Sequence, residues 1–454
     1  MNDLLSIVLS GATFFGVLLV LVVTHELGHF LTAKLAGVAV QEFGIGYPPR
    51  LFALHYRGTD YSVNLFPLGG FVKLLGEEDP LEEQPQKLQS ARVLVLDRGA
   101  QGSPEAPKPS AGVPMASKSP WTRLLILAAG PGMNALLSIL LLSIAFSIPH
   151  NVLSGPVHIE TVAKESPAER AGLQSGDIVR KIDDREIRNM QDVSSAIQLN
   201  LGTETVVTFQ RGSEARKAHL VPRWDPPPQQ GAIGVVLSMP VTVVTVKSGT
   251  PAAVAGLQTG DRIQTIDGRT VRLIDEIQLE PQDELVVVRG VKEQRLEWNG
   301  PNDPTSAGLV LSGPSVLTVS PQLHEALLSG ARTTFDFLTL LTNGVRSVIT
   351  SDGAVALTGP VGIAQTTAEA ANGGLPPLLH WMAFLSLNLA VMNILPLPML
   401  DGGRVAFVLL EWVRHGRRLA PKIENFVHLG GFAMLLGVIL VITYQDIMRL
   451  LGTQ

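Results

Sequence analysis

Residues 25–29 read His-Glu-Leu-Gly-His, two histidines four apart with a glutamate beside the first. On a helix, positions i and i+4 share a face, so both imidazoles can converge on one ion while Glu26 reaches a water at that ion. Neutral imidazole nitrogen suits zinc, and a catalytic zinc site takes three protein ligands and keeps a fourth position open. A third ligand must then come from elsewhere. The stretch NLAVMNILPLPMLDGGR, residues 388–404, offers Asp401, the one carboxylate between residues 378 and 410. The alternative reading of that aspartate is an Asp-Gly turn with a helix cap.

The surroundings sharpen the choice. Residues 4–24 contain no charged side chain, and that length can cross a hydrocarbon core of about 30 Å. Residues 124–148, 378–400 and 426–444 are further apolar stretches. Ionisable groups inside such segments cost about 2.5–3.5 kcal/mol each on insertion scales, a cost that metal coordination offsets. His25 and Asp401 lie at matching ends of the first and third stretches. A cleaved signal peptide is the other reading of the first, but no basic residue precedes its apolar run.

The elements that must position these groups follow from composition. Of 454 residues, 46% are hydrophobic and 17% charged, against about 25% charged in a typical soluble domain. Mean hydropathy is +0.27. A net charge of -5 leaves no electrostatic footprint for nucleic acid, so no nucleic-acid partner is expected. The absence of cysteine excludes disulfides and thiolate metal sites. Arg404, Arg414, Arg417, Arg418 and Lys422 fall between the third and fourth stretches. The positive-inside rule therefore puts that connection in the cytoplasm, with both termini and the long second connection outside.

That long connection contains a repeat. SPAERAGLQSGDIVRKIDDREI, residues 166–187, matches TPAAVAGLQTGDRIQTIDGRTV, residues 250–271, at eleven of 22 positions. Each copy reads as a short helix stopped by glycine, a tight Gly-Asp turn and an alternating strand. The pattern resembles the core of a PDZ domain of bacterial envelope proteases. Such domains take extended peptides by strand addition, so peptide ligands are one expectation. A spacer or steric filter is the other.

HExxH in a first apolar segment and N-x-x-P-x-P-x-LDG in a late one together resemble the site-2 protease family of intramembrane zinc metalloproteases. AGPGMN (129–134), PLGGFVKLLGE (67–77) and LTGPVGIA (357–364) extend the resemblance over nearly the whole chain. It implies one catalytic Zn2+ held by His25, His29 and Asp401, with Glu26 as general base. Asn393 matches an asparagine that the family uses for substrate binding; Asn388 and Gly70 are further candidates, and Asn134 a supporting or packing residue. The resemblance also implies a bacterial inner-membrane enzyme with the PDZ-like domains outside. Its substrates would be transmembrane proteins such as trimmed anti-sigma factors, or signal-peptide remnants.

The expected fold class is a polytopic α-helical membrane protein with four transmembrane segments, a membrane-associated β-hairpin and two external PDZ-like α+β domains. The expected order is a first transmembrane helix (1–37), a β region (38–76), a cytoplasmic linker (77–120), a second helix (121–149) and PDZ-like domains at 151–228 and 229–315. An amphipathic helix and connection (321–374), a third helix with the LDG motif (376–412) and a fourth (424–446) complete it. Tyr61, Val63 and Leu65 alternate with Ser62 and Asn64 as in a strand, with turns expected at 57–60 and 67–70. Two readings from other classes stand beside the protease: a zinc transporter, and an inactive membrane-anchored PDZ scaffold.

Overall fold

The computed structural model describes residues 2–76, 112–290, 292–350, 359–415 and 421–450. Residues 77–111 of the expected linker, with the VLVL run at 93–96, lie outside them. The chain forms two compact units, Met1–Ile148 with Pro321–Leu338 and Val355–Gln454, and Pro149–Ser320 with Thr339–Ala354.

The first unit begins with α1 (Asn2–Leu35), an uninterrupted apolar helix. It ends where Gly37 takes φ +70, the left-handed conformation that lets glycine turn a chain out of a helix. The chain then enters β1 (Val40–Tyr56) and β2 (Thr59–Leu74), which pair antiparallel. Arg57 and Gly58 between them both have positive φ, as a two-residue hairpin requires. Phe43, Gly44 and Ile45 pair with Tyr61, Ser62 and Val63 and also with Val72, Phe71 and Gly70. The hairpin therefore folds back into four segments in the order 50–56, 59–66, 40–47, 69–74. Next comes α2 (Pro120–Ser147), started by Ser119 accepting from Thr122 N–H with Pro120 in the first turn.

The second unit opens with β3 (His150–Ser154). Its first repeat comprises β4 (Val157–Val162), α3 (Pro167–Arg170), β5 (Ile178–Ile182), β6 (Arg185–Glu186), α4 (Met190–Leu199), β7 (Thr205–Arg211), β8 (Glu214–Leu220) and β9 (Val235–Ser238). The strands run β8-β7-β5-β4-β9, with β6 on β5. The second repeat comprises β10 (Val241–Val246), α5 (Pro251–Val254), β11 (Arg262–Ile266), β12 (Arg269–Thr270), β13 (Asp283–Arg289), β14 (Lys292–Trp298) and β15 (Leu309–Ser312). Its order, β14-β13-β11-β10-β15 with β12 on β11, is the same. The copies differ where α4 stands, because the second has only a 3-10 turn at Ile274–Glu276. Finally β16 (Ser315–Val319) pairs with β3 as a separate ribbon.

The Gly-Asp of each repeat has a structural use. Asp177 is buried and takes two 2.7 Å bonds from Arg211 and one from Gln174 N–H. Asp261 does the same with Arg289 and Gln258. Each arginine also bonds the carbonyl of the glycine that stops the short helix, Gly172 or Gly256. The turn is thus tied to the strand across the sheet.

The remaining helices are α6 (Leu323–Thr350), α7 (Pro360–Asn372), α8 (Leu375–Ile394), α9 (Asp401–Val413) and α10 (Pro421–Leu450). Leu323–Leu338 of α6 belong to the first unit and the rest to the second. Among the described residues four helices are long and apolar enough to cross a membrane, at Leu9–Leu35, Pro120–Ser147, Leu375–Ile394 and Phe426–Arg449. In the first unit one apolar cluster joins Val17 and Leu21 to Leu142, Met382 and Ala383. A second joins Ala33, Val38 and Leu74 to Ile126, Leu127 and Val408.

Two expected bounds change, and one expected connection gains a helix. The border between repeats, expected at 228/229, moves to Ser238, because β9 pairs with β4 through Ile159–Leu237. The expected third helix, 376–412, is two helices, α8 and α9. Pro396 and Pro398 lack amide hydrogens and disfavour helix in the residues before them. In the region expected as an amphipathic helix and connection, α6 is the helix, and the connection holds the further helix α7.

Breaking the pair between buried Asp261 and partly exposed Arg289 with Asp261→Asn should destabilise the second repeat by about 2 kcal/mol. Denaturant unfolding followed by hydrogen exchange in that repeat measures it, and wild-type protection would show the pair to be dispensable. His158, buried on β4 with Arg262 and Arg180 nearby, has its imidazole pushed down to about 4. Its folded value lies below its unfolded one, so its neutral form contributes stability above about pH 6.5 that is lost as pH falls toward 4. His158→Asn should flatten the stability of this unit across that window, measured by unfolding at stepped pH.

Candidate metal centre

The face of α1 that carries the i, i+4 histidines lies between the two apolar clusters, past Leu21 and before Ala33. His25 and His29 are both buried, and their Nε2 atoms are 3.2 Å apart. Asp401 Oδ2 lies 2.9 Å from Nε2 of His25 and 3.3 Å from Nε2 of His29. Tetrahedral zinc with bonds of about 2.0–2.1 Å separates neighbouring ligand atoms by about 3.3 Å, so the triangle fits that ion. Asp401 Oδ2 is also buried without a hydrogen-bond partner, the condition of a carboxylate oxygen built for a cation. Among the described residues these three form the one candidate metal cluster.

The outer ring nitrogens fix how the imidazoles point. His29 Nδ1 lies 2.9 Å from the carbonyl of Ile126, which only accepts, so the proton sits on Nδ1 and the Nε2 lone pair faces Asp401. His25 Nδ1 lies 3.4 Å from Nδ2 of Asn134, whose Oδ1 is buried and unpartnered. The amide orientation that satisfies both groups has Oδ1 accepting from His25 Nδ1–H. His25 then presents Nε2 in the same way. The backbone carbonyl of Asn134 takes a 2.8 Å bond from Ser386, which ties α2 to α8 at this level.

Close helix approach makes this convergence possible. A methyl group at Gly28 would fall on the carbonyl of Ala129, and one at Gly130 on His29 Nε2. Gly28 of HELGH and Gly130 of AGPGMN are therefore where α1 meets α2. Asp401 is the first residue of α9, and α9 is fastened to α2 by the 2.7 Å Arg123–Glu411 pair.

Glu26 is half-buried on α1. A Cβ built on Gly70 would lie 3.2 Å from Glu26 Cγ and 3.1 Å from the carbonyl of Gly44. Segment 69–74 of the β region thus passes directly beside Glu26. Of the other expected residues, Asn388 donates its amide to Phe384 within its own helix, which gives it a local use. Asn393 is partly exposed, one residue before α8 ends.

Sequence reasoning missed Asp446, a buried carboxylate on α10 that accepts from Gly362 N–H in the first turn of α7 at 3.0 Å. The cue was available: a lone acid at the end of an apolar stretch, as at Asp401. The pairing of Asn134 with His25 left no cue, because the two lie on different helices.

Comparison with known proteins places this site in a wider setting. The profile of Peptidase family M50 matches residues 13–438. The zinc metalloprotease RasP of Oceanobacillus iheyensis is 27% identical over 485 residues, which cover 95% of this chain and 97% of that one. The regulator of sigma-W protease RasP of Bacillus subtilis is 26% identical, covering 95% and 96%. Among solved structures, a PDZ domain of an SdrC-like protein from Listeria monocytogenes covers 18% of this chain and 85% of its own, at 21% identity and a TM-score of 0.16.

Gly130→Ala should push His29 aside and lower metal content about tenfold or more. Gly132→Ala, where an added methyl meets nothing within 4 Å, should leave it unchanged. Elemental analysis of the purified proteins distinguishes them; equal metal in both would mean that the α1–α2 approach does not set the site.

Proposed function

The chain belongs to Peptidase family M50 and is a zinc metalloprotease, and from that premise we propose that it hydrolyses peptide bonds within the membrane, in single-span substrates. One observation carries the reading. His25, Glu26 and His29 lie on α1, a helix long enough to cross a bilayer, Asp401 meets the histidines from the first residue of the shorter α9, and a β segment runs past Glu26.

His25, His29 and Asp401 would hold the zinc, which when bound would supply Lewis acidity toward the scissile carbonyl and make a nearby water more acidic. Glu26, one residue from His25 and partly accessible, takes the proton of the attacking water and delivers it to the departing amine. Ile126 and Asn134 keep both imidazoles in the tautomer that leaves Nε2 free. A transmembrane helix hides its peptide groups in its own hydrogen bonds, so the substrate must unwind first. Segment 69–74 pairs with 40–47 along one edge, and its other edge is where an unwound substrate would add as a strand. Gly70, without a side chain, lets that strand lie against Glu26. Asn393 and Asn388 are assigned to substrate binding by resemblance alone.

The protein is a multi-pass membrane protein, and we place it in the bacterial inner membrane with both termini and the repeats outside. The repeats act as PDZ-like domains that filter by size, admitting substrates whose outer domain an earlier cut has removed. Trimmed anti-sigma factors and signal-peptide remnants are the substrate classes. The relative named as a regulator of sigma-W protease supports the first of these. Transport is disfavoured because no second metal cluster among the described residues extends a path.

Glu26→Gln should retain zinc and lose at least about a hundredfold in cleavage rate, measured on a pre-trimmed single-span substrate in detergent with elemental analysis alongside. Cleavage at the wild-type rate would sink the mechanism. Loss of zinc with activity would make Glu26 a structural residue instead.

A further inference from the structure

The third ligand hangs on an irregular stretch. Between the end of α8 at Ile394 and the start of α9 at Asp401 the chain reads Leu-Pro-Leu-Pro-Met-Leu. Two prolines remove two of its amide hydrogens. Leu395, Leu397 and Leu400 donate to the carbonyls of Met392, Leu395 and Leu397. Met399 reaches away from α8 and α9 altogether, donating its N–H to Nδ1 of His428 on α10 at 2.9 Å.

Met399 is also the residue that most needs holding. Its φ is +72, in the left-handed region that side chains other than glycine, asparagine and aspartate rarely adopt. That conformation sets the direction in which Leu400 and Asp401 leave the loop. One helical turn along α10, Gly431 lies on the same face as His428. A methyl group there would fall on Cβ of Pro398. His428 is itself buried, with its ring edge-on to Phe407 of α9 at 5.4 Å. By contrast Leu429, Met434 and Leu440 of α10 are exposed. The face of α10 turned inward here thus fits the loop with an acceptor and a vacancy for a proline.

We infer that His428, on a helix that supplies no ligand, is a positioning residue for Asp401. By accepting the Met399 N–H it fixes the left-handed residue two positions before the carboxylate. Gly431 lets α10 come close enough to do so. Residues that orient a ligand from outside the coordination shell typically govern tenfold to a hundredfold in metal affinity. The inference rests on the zinc-site reading, and it gives the fourth apolar helix a part in the metal centre that its sequence does not announce.

The test uses the full chain purified in detergent, with zinc affinity measured by chelator competition and the visible spectrum of the Co2+-loaded protein recorded. His428→Leu keeps the bulk and removes the acceptor. His428→Asn keeps an acceptor that can reach the same N–H. Gly431→Ala displaces Pro398 and leaves His428 in place. The expected result is about tenfold weaker zinc binding and an altered Co2+ spectrum for Leu and Ala, with binding restored toward wild type by Asn. Thermal unfolding of the metal-free proteins should be alike, which separates positioning from general stability. Wild-type affinity in both His428→Leu and Gly431→Ala would overturn the inference while leaving the zinc site intact. Equal losses in Leu and Asn would also overturn it, since the acceptor would then be irrelevant. Failure of wild type itself to bind zinc, or binding that survives His25→Ala, would instead overturn the zinc-site reading and this inference with it.

Discussion

Two imidazoles and a carboxylate packed among apolar helices are tolerable only when every polar atom among them has a use, and the membrane unit is arranged around that constraint. Burying a charge or a polar group without a partner costs several kcal/mol. His29 gives its outer proton to Ile126 and, with the Asn134 amide turned so that Oδ1 accepts, His25 gives its own there, which leaves the inner nitrogens facing Asp401 and free for a cation. Asp401 Oδ2 has no donor of its own. The same cluster that would be a defect in an empty core is what a coordination site for zinc requires. Glycine at positions 28 and 130 follows from it, because the helices cannot close on the ligands with a side chain between them.

The third ligand shows how far that requirement spreads. A straight continuation of α8 would put residue 401 on the helix wherever its periodicity fell. The proline-broken stretch instead restarts the chain with Asp401 as the first residue of a new helix, and α10 holds the stretch through His428 and Gly431. At its other end α10 holds α7 through Asp446 and Gly362. A helix that is largely exposed along its apolar length is thus fastened by one polar contact near each end. In an apolar setting such contacts are selective, because few other groups are available to satisfy them.

The second unit obeys a different economy. There the sheets are conventional, each with an apolar core, and the repeated Gly-Asp is a lock between turn and strand in both copies. The repeats still diverge where one has a ten-residue helix, α4, and the other a single 3-10 turn. In the sequence, MQDVSSAIQLNLGTE of the first copy faces the shorter IDEIQLEPQDE of the second. Proline there forecloses a helix of similar length. The two copies therefore offer different surfaces on one scaffold.

What the sequence determined by itself was whatever depends on neighbours along the chain. The spacing of His25 and His29, the apolar lengths, the tight turn at Arg57 and Gly58, and the repeat with its glycine stops are all local, because helix and turn geometry act over a few residues. Asp401 was legible for a related reason, since a lone acid in an apolar stretch stands out against its own surroundings. Tertiary structure alone decided which helix answers which. Asn134 meets His25 across two helices, His428 meets Met399 from the fourth apolar helix, Gly70 arrives beside Glu26 through a folded-back hairpin, and β9 joins the first sheet although it follows the proline-rich stretch WDPPPQQG, residues 224–231. Each is a contact between segments whose separate patterns say only that they are buried or extended. Burial and extension specify a face, and the partner on that face is chosen only when the whole chain packs.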